Sequence, residues 1–188
     1  MKFRLCLLLS LLAAGTATCL MAAPRPDVPA RKQGSVISRA VEAFDQAGVA
    51  YGYRQLGGEK FLALATRLGY DKHCYYDIVG LKFGEIAGKP AMTDAQLIAL
   101  SEHIAAFPRL KGLEMRGNHF TAKGLASLPP LPELTHLYLS GPSITNDMVF
   151  VLERFPALKE LRLEKTSVTA LGVKVIKTRL PSCQVIMQ

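Results

Sequence analysis

Residues 110–115 read LKGLEM, residues 134–139 read LTHLYL and residues 158–163 read LKELRL. Their opening leucines, Leu110, Leu134 and Leu158, stand 24 residues apart, so the phrase L-x-x-L-x-[L/M] recurs in register. A fixed internal period is the observation that most constrains an architecture. The register extends beyond the leucines. Phe120-Thr121, Ile144-Thr145 and Val168-Thr169 repeat at the same interval, each an apolar residue followed by a threonine suited to begin a helix. Leu125/Leu128, Val149/Leu152 and Val173/Ile176 follow at spacings that line one helical face. Each unit closes on a proline, at Pro132, Pro156 and Pro181, as Pro108 closes the stretch before them.

Working outward, Ile78, Leu81 and Phe83 match the strand phrase, Met92-Thr93 the helix start, Leu97/Leu100 the helix face and Phe107-Pro108 the close, forming a longer first copy. CQVIMQ, residues 183–188, supplies a final strand. The chain thus carries about four units and a terminal strand. Each unit reads as strand, turn, helix and return loop. Alternate apolar residues of one strand and the inner face of one short helix cannot shelter each other within a single unit, and stacked neighbours bury both. The expected fold class is α/β, with a parallel sheet on a concave face and helices on a convex one. Leu113, Leu137 and Leu161 should form one interior column.

These phrases resemble those of a leucine-rich-repeat protein, specifically short bacterial repeats related to the cysteine-containing subclass, over residues 76–188. The closing LPSCQVIMQ is similar to the L-P-x-C-x-[V/I] ending frequent in that group. The family places Asn or Cys near the end of the strand segment, where this chain has Asn118, Pro142 and Thr166, and only Asn118 conforms. The resemblance implies a solenoid that acts as a protein-interaction scaffold, because the family is defined by architecture rather than by an activity.

Upstream the pattern changes. MKFRLCLLLSLLAAGTATCLMAAP begins basic, continues apolar from Leu5 to about Ala14 and ends in small residues, the layout of a secretory signal over residues 1–23. Cleavage sites after Ala17 and near Ala22 or Ala23 both fit. Cys19 would suit a lipoprotein signal, but Thr16-Ala17-Thr18 lacks the large aliphatic residue such signals carry. The apolar run is shorter than the ~20 residues that span a bilayer, so no transmembrane span is expected in the mature chain. Export makes the chain periplasmic or secreted. Residues 24–34, with Pro24, Pro26 and Pro29 among charges, read as a flexible linker. Residues 35–75 do not repeat. Val36, Ile37, Ala40, Val41 and Phe44 mark one amphipathic helix ending near Gly48, and Phe61, Leu62, Ala65 and Leu68 mark another. Together they read as a helical N-terminal cap over the raw end of the first repeat.

Catalytic chemistry finds little foothold. Gly57-Gly58 lacks a following Lys-Ser or Lys-Thr, and SGPS at 140–143 lacks the order of a nucleophile elbow. His73, His103, His119 and His136 have no metal-ligand spacing, and the His73-Cys74 pair reads as part of the cap. No enzyme activity, metal or cofactor is expected. Cys74 and Cys183 precede or open the first and fifth strands, roughly 19 Å apart at the usual strand spacing, so no intramolecular disulfide is expected between them.

A binding site is expected where side chains between the buried leucines project from the sheet. One column there holds Lys82, Glu114, Tyr138, Arg162 and Met187, and the next holds Gly80, Gly112, His136, Glu160 and Val185. Lys82 should face Glu114, and Tyr138 should stack with Arg162. Glu114, Arg116, His136, Tyr138 and Arg162 form the candidate partner-binding patch, since Tyr and Arg dominate binding hot spots. The expected partner is a protein. The net charge of +8 and the cluster Lys174, Lys177 and Arg179 make an anionic envelope glycan or lipid the second class, with nucleic acid no natural target after export. The uncapped apolar strand at the end of the chain raises pairing with a second copy. A competing reading places an effector or enzyme-like activity in residues 35–75 and uses the repeats for targeting.

Overall fold

The computed structural model describes residues 30–55, 59–67, 76–84, 91–117 and 119–188. The expected signal, Cys19, most of the linker, Gly57-Gly58, His73, Cys74 and Asn118 lie outside the described residues. Among the described residues no helix is long and apolar enough to cross a membrane.

One six-stranded sheet organises the chain, its strands neighbouring one another in sequence order: β1 (Ala50–Gln55), β2 (Tyr76–Phe83), β3 (Gly112–Met115), β4 (His136–Ser140), β5 (Glu160–Glu164) and β6 (Gln184–Met187). β2 to β6 run parallel, and β1 pairs antiparallel with β2. The helices are α1 (Ala30–Ala47), α2 (Glu59–Arg67), α3 (Asp94–Ile104), α4 (Ala122–Ala126), α5 (Val149–Leu152, entered through a 3-10 turn at Asn146–Met148) and α6 (Ala170–Arg179).

The period seen in the sequence sets the register. Leu81, Leu113, Leu137 and Leu161 are direct partners on adjacent strands and are all buried, as are Phe83, Met115, Leu139 and Leu163 two residues on. Strand side chains alternate between faces, so a slip of one residue would turn every leucine to solvent, at a cost of roughly 1.5–3 kcal/mol for each. Leu97, Leu100 and Ile104 of α3, Leu125 of α4, Val149 and Leu152 of α5 and Ile176 of α6 join the same core from the other side. The strand-to-helix turn is also periodic: Gly117, Gly141 and Lys165, 24 residues apart, all adopt positive φ (60°, 123° and 50°).

Helix starts follow the threonines unevenly. Thr121 Oγ1 accepts the Lys123 N–H and Thr169 Oγ1 accepts the Gly172 N–H, both at 3.2 Å. Thr145 makes no such bond, because the chain there opens with the tighter 3-10 turn. At α3 the Thr93 N–H donates to Gln96 Oε1 at 2.9 Å.

Three expectations are corrected. The cap over residues 35–75 is not purely helical. Between α1 and α2 it contributes β1, which continues the sheet, while Phe44 of α1 packs on Phe107 with ring centroids 5.9 Å apart. α1 also begins at Ala30, inside the stretch read as linker. Gly48, at φ 73°, ends α1 and lets the chain turn directly into β1. Finally, β6 sits one residue away from the expected columns. Ile186, not Met187, aligns with Arg162, and Gln184, not Val185, aligns with Glu160. The physical reason is the leucine column, which Val185 extends as the partner of Leu161.

Candidate functional site on the outer sheet face

Because the leucines point toward the helices, residues between them point away. The outer face therefore carries Lys82 on β2, Glu114 on β3 with Arg116 just beyond it, His136 and Tyr138 on β4, and Glu160 and Arg162 on β5. All of them line one shallow concavity of about 470 Å³, together with Gly80, Gly112 and the first residues of β1. The five residues singled out from the sequence, Glu114, Arg116, His136, Tyr138 and Arg162, thus lie together around a single hollow.

Their mutual contacts differ in one respect from the expected set. Lys82 Nζ lies 3.5 Å from Glu114 Oε1, as the cross-strand register requires, and Arg116 also pairs with Glu114. The cation on the Tyr138 ring is Arg116, with its guanidinium carbon 4.3 Å from the centroid, not Arg162. Arg162 Nε instead binds Glu160 Oε1 at 2.5 Å. A carboxylate two residues earlier on the same strand face attracts the guanidinium more strongly than a neighbouring ring does. Arg116, diagonal to Tyr138, has the reach to cover the ring. Such exposed pairs add little to stability, but they hold long side chains in place. His136 Nδ1 lies 2.8 Å from the Thr135 hydroxyl, and this contact orients the ring.

The floor at the β1 end is backbone. Gly52, Gly80 and Gly112 are successive partners across three strands, in the column that His136 and Glu160 continue. A Cβ at Gly52 or Gly112 would meet nothing within 4 Å, and one at Gly80 only the Gly112 carbonyl at 3.9 Å. Packing does not demand these glycines, and glycine is a poor strand residue. Gly80 and Gly112 were visible as members of a column. Gly52 was not, since its contribution depends on β1.

The basic cluster on α6 is partly engaged. Arg179 pairs with Glu153 and lies over the Phe150 ring, 5.1 Å from its centroid, while Lys174 and Lys177 are exposed. Cys183 is buried, and burial pushes its thiol pKa up, aided by the charge of Glu160, while a backbone hydrogen bond from Leu161 opposes the shift. Among the described residues no group of three or more His, Cys, Asp or Glu side chains is placed to hold a metal ion. No family model matches the chain, and no curated protein matches it.

Proposed function

We propose that the chain is a leucine-rich-repeat solenoid that serves as a non-enzymatic interaction module of the cell envelope or exterior, taking a protein partner on the outer sheet face. The reading is supported above all by the convergence of Tyr138, Arg116, His136, Glu114 and Arg162 on one hollow. Tyrosine and arginine combine large contact area with directed polar groups, which is why they recur as binding anchors. Here each is held in position before a partner arrives, which lowers the entropy lost on binding. The backbone floor at Gly80 and Gly112 lets a partner group approach the sheet closely.

A photo-crosslinking residue placed at Tyr138, with a control at Lys123 on α4, tests this in envelope extracts. One protein captured from position 138 and not from 123 is the expected result. Tyr138→Ala with Arg162→Ala should then abolish binding and leave the circular dichroism spectrum unchanged. Equal capture from both positions, or full affinity in the double variant, would move the site elsewhere.

A further inference from the structure

The hollow on the outer face is unevenly charged. Three cations, Lys82, Arg116 and Arg162, line it against two carboxylates, Glu114 and Glu160. Both carboxylates are already engaged. Glu114 faces Lys82 and Arg116 together, and Glu160 accepts from Arg162 Nε at 2.5 Å. That single bond leaves the two terminal nitrogens of the Arg162 guanidinium without an acceptor among the described residues. The Tyr138 hydroxyl has no hydrogen-bond partner among them either. Tyr138 and Arg162 are direct partners on adjacent strands, so one incoming acceptor can meet both. The other end of the hollow is uncharged backbone. Gly52, Gly80 and Gly112 form a bare strip two strand spacings long, about 10 Å. Gly80 and Gly112 pair with strands on both sides, so their peptide groups serve the ladder and leave mainly methylene surface to a ligand.

We propose that the partner docks through an extended segment bearing one aspartate or glutamate, its carboxylate received by Arg162 and Tyr138 and its small or apolar neighbours laid over the glycine strip. The inference rests on the outer face being the docking surface and names what that surface selects. Two free guanidinium nitrogens match the two oxygens of a carboxylate. One added carboxylate brings the hollow to neutrality, whereas a run of acids would be repelled by Glu114 and Glu160. An anionic glycan meets that same repulsion and would leave hydroxyls unmatched over the glycine strip. A lipid surface is too flat to reach into the hollow.

Selection from a displayed library of random dodecapeptides on the purified full-length chain tests this. Enriched peptides should share one aspartate or glutamate, and its replacement by the amide in a synthetic copy should weaken binding at least about tenfold. Selection on Arg162→Glu should enrich lysine or arginine there instead, while Lys123→Glu on α4 should leave the acidic preference unchanged. A cooperative thermal transition checks that each variant folds. Arg162→Gln should lose the preference and gain no other, and it decides alone if Arg162→Glu does not fold. Polygalacturonate should compete no better than sodium chloride of equal ionic strength. Peptides that carry no acid but are lost on Tyr138→Ala overturn this inference and leave docking on the outer face standing. Peptides indifferent to changes at both Arg162 and Tyr138 overturn both readings. Displacement by polygalacturonate beyond the salt effect gives the site to a glycan and overturns the peptide segment. Failure to enrich any peptide overturns this inference as well, and the crosslinking at Tyr138 then decides the wider reading.

Discussion

Asp94 and Gly124 form an interlock between successive units, and it makes a sharp prediction about stability. Asp94 opens α3, yet its carboxylate serves the next unit: Oδ1 accepts the Thr121 N–H at 2.8 Å and Oδ2 accepts the Thr121 hydroxyl at 2.6 Å. A Cβ at Gly124 would lie 2.2 Å from Asp94 Oδ1 and 2.9 Å from Cγ. Gly124→Ala therefore has to expel the carboxylate and lose both charge-assisted bonds, at about 2–3 kcal/mol in a partly exposed site. Alanine in place of glycine within a helix returns about 1 kcal/mol, leaving a net loss of about 1–2 kcal/mol. Asp94→Ala alone should cost about 2–3 kcal/mol, since it loses the same two bonds.

In the Asp94→Ala background the obstacle is gone, and Gly124→Ala should become stabilising by up to about 1 kcal/mol. The chain already contains this alternative at the next junction, where Ala122 and Met148 occupy the corresponding positions. Urea unfolding of the four proteins, with unchanged m-values, measures the cycle. Its coupling energy should reach about 2–3 kcal/mol in favour of the double variant. If Gly124→Ala destabilises equally in both backgrounds, the carboxylate is not what the glycine accommodates. The pair Asn146 and Gly172 repeats the device, with Asn146 Oδ1 accepting the Thr169 N–H at 3.0 Å. Relief there should be smaller, because Val168 Cγ1 also lies 3.1 Å from a Cβ at Gly172.

Lys165, at φ 50°, stands where the two preceding units have glycine, so Lys165→Gly should stabilise by up to about 1 kcal/mol in the same urea assay. Asp77 is buried and holds Arg54 at 2.9 Å and Arg109 at 3.5 Å, and Asp77→Ala should cost about 1–2 kcal/mol and accelerate amide hydrogen exchange in β1 before the other strands. The raised thiol pKa of Cys183 means that it resists alkylation near neutral pH until the chain unfolds, as peptide mapping will report. Because the native state favours the protonated thiol, its contribution to stability is present below the unfolded-state pKa. It is lost as pH climbs through the folded one, so denaturation midpoints should fall on the alkaline side and Cys183→Ala should flatten that fall.

The parallel part of the sheet was legible because repetition and burial impose the same constraint. Leu113, Leu137 and Leu161 can share an interior only in one register, and that register then assigns Glu114, Tyr138 and Arg162 to the opposite face. β1 was not legible. AYGYRQ has no apolar alternation strong enough to announce a strand, and its pairing depends on a bulge and on a chain reversal after Gly48. The last strand keeps the repeat step, Glu160 pairing with Gln184 as His136 pairs with Glu160, and the misplacement lies in the turn before it. The Cys183 N–H donates to the Leu180 carbonyl as the Leu158 N–H donates to that of Phe155, so aligning Cys183 with Leu158 carries one residue too many into the strand. Position within a column gives direct cross-strand neighbours only. It gave Lys82 and Glu114 correctly, but missed Arg116 on Tyr138, which is a diagonal contact decided by side-chain length and by the competing claim of Glu160 on Arg162.

The arrangement separates the face that specifies the fold from the face on which a partner is proposed. On the inner face each position is fixed by its neighbours in the column, and a polar substitution there disrupts several units at once. On the outer face the same columns run glycine, glycine, histidine, glutamate, and lysine, glutamate, tyrosine, arginine. No packing rule selects that order, and its paired charges return little free energy to the chain. The glycines carry the argument furthest, since at Gly52 and Gly112 a side chain would fit without contact and would improve strand propensity. Packing within the sheet therefore gives no reason for bare backbone beside His136 and Tyr138, and the proposed partner on the outer face would supply one.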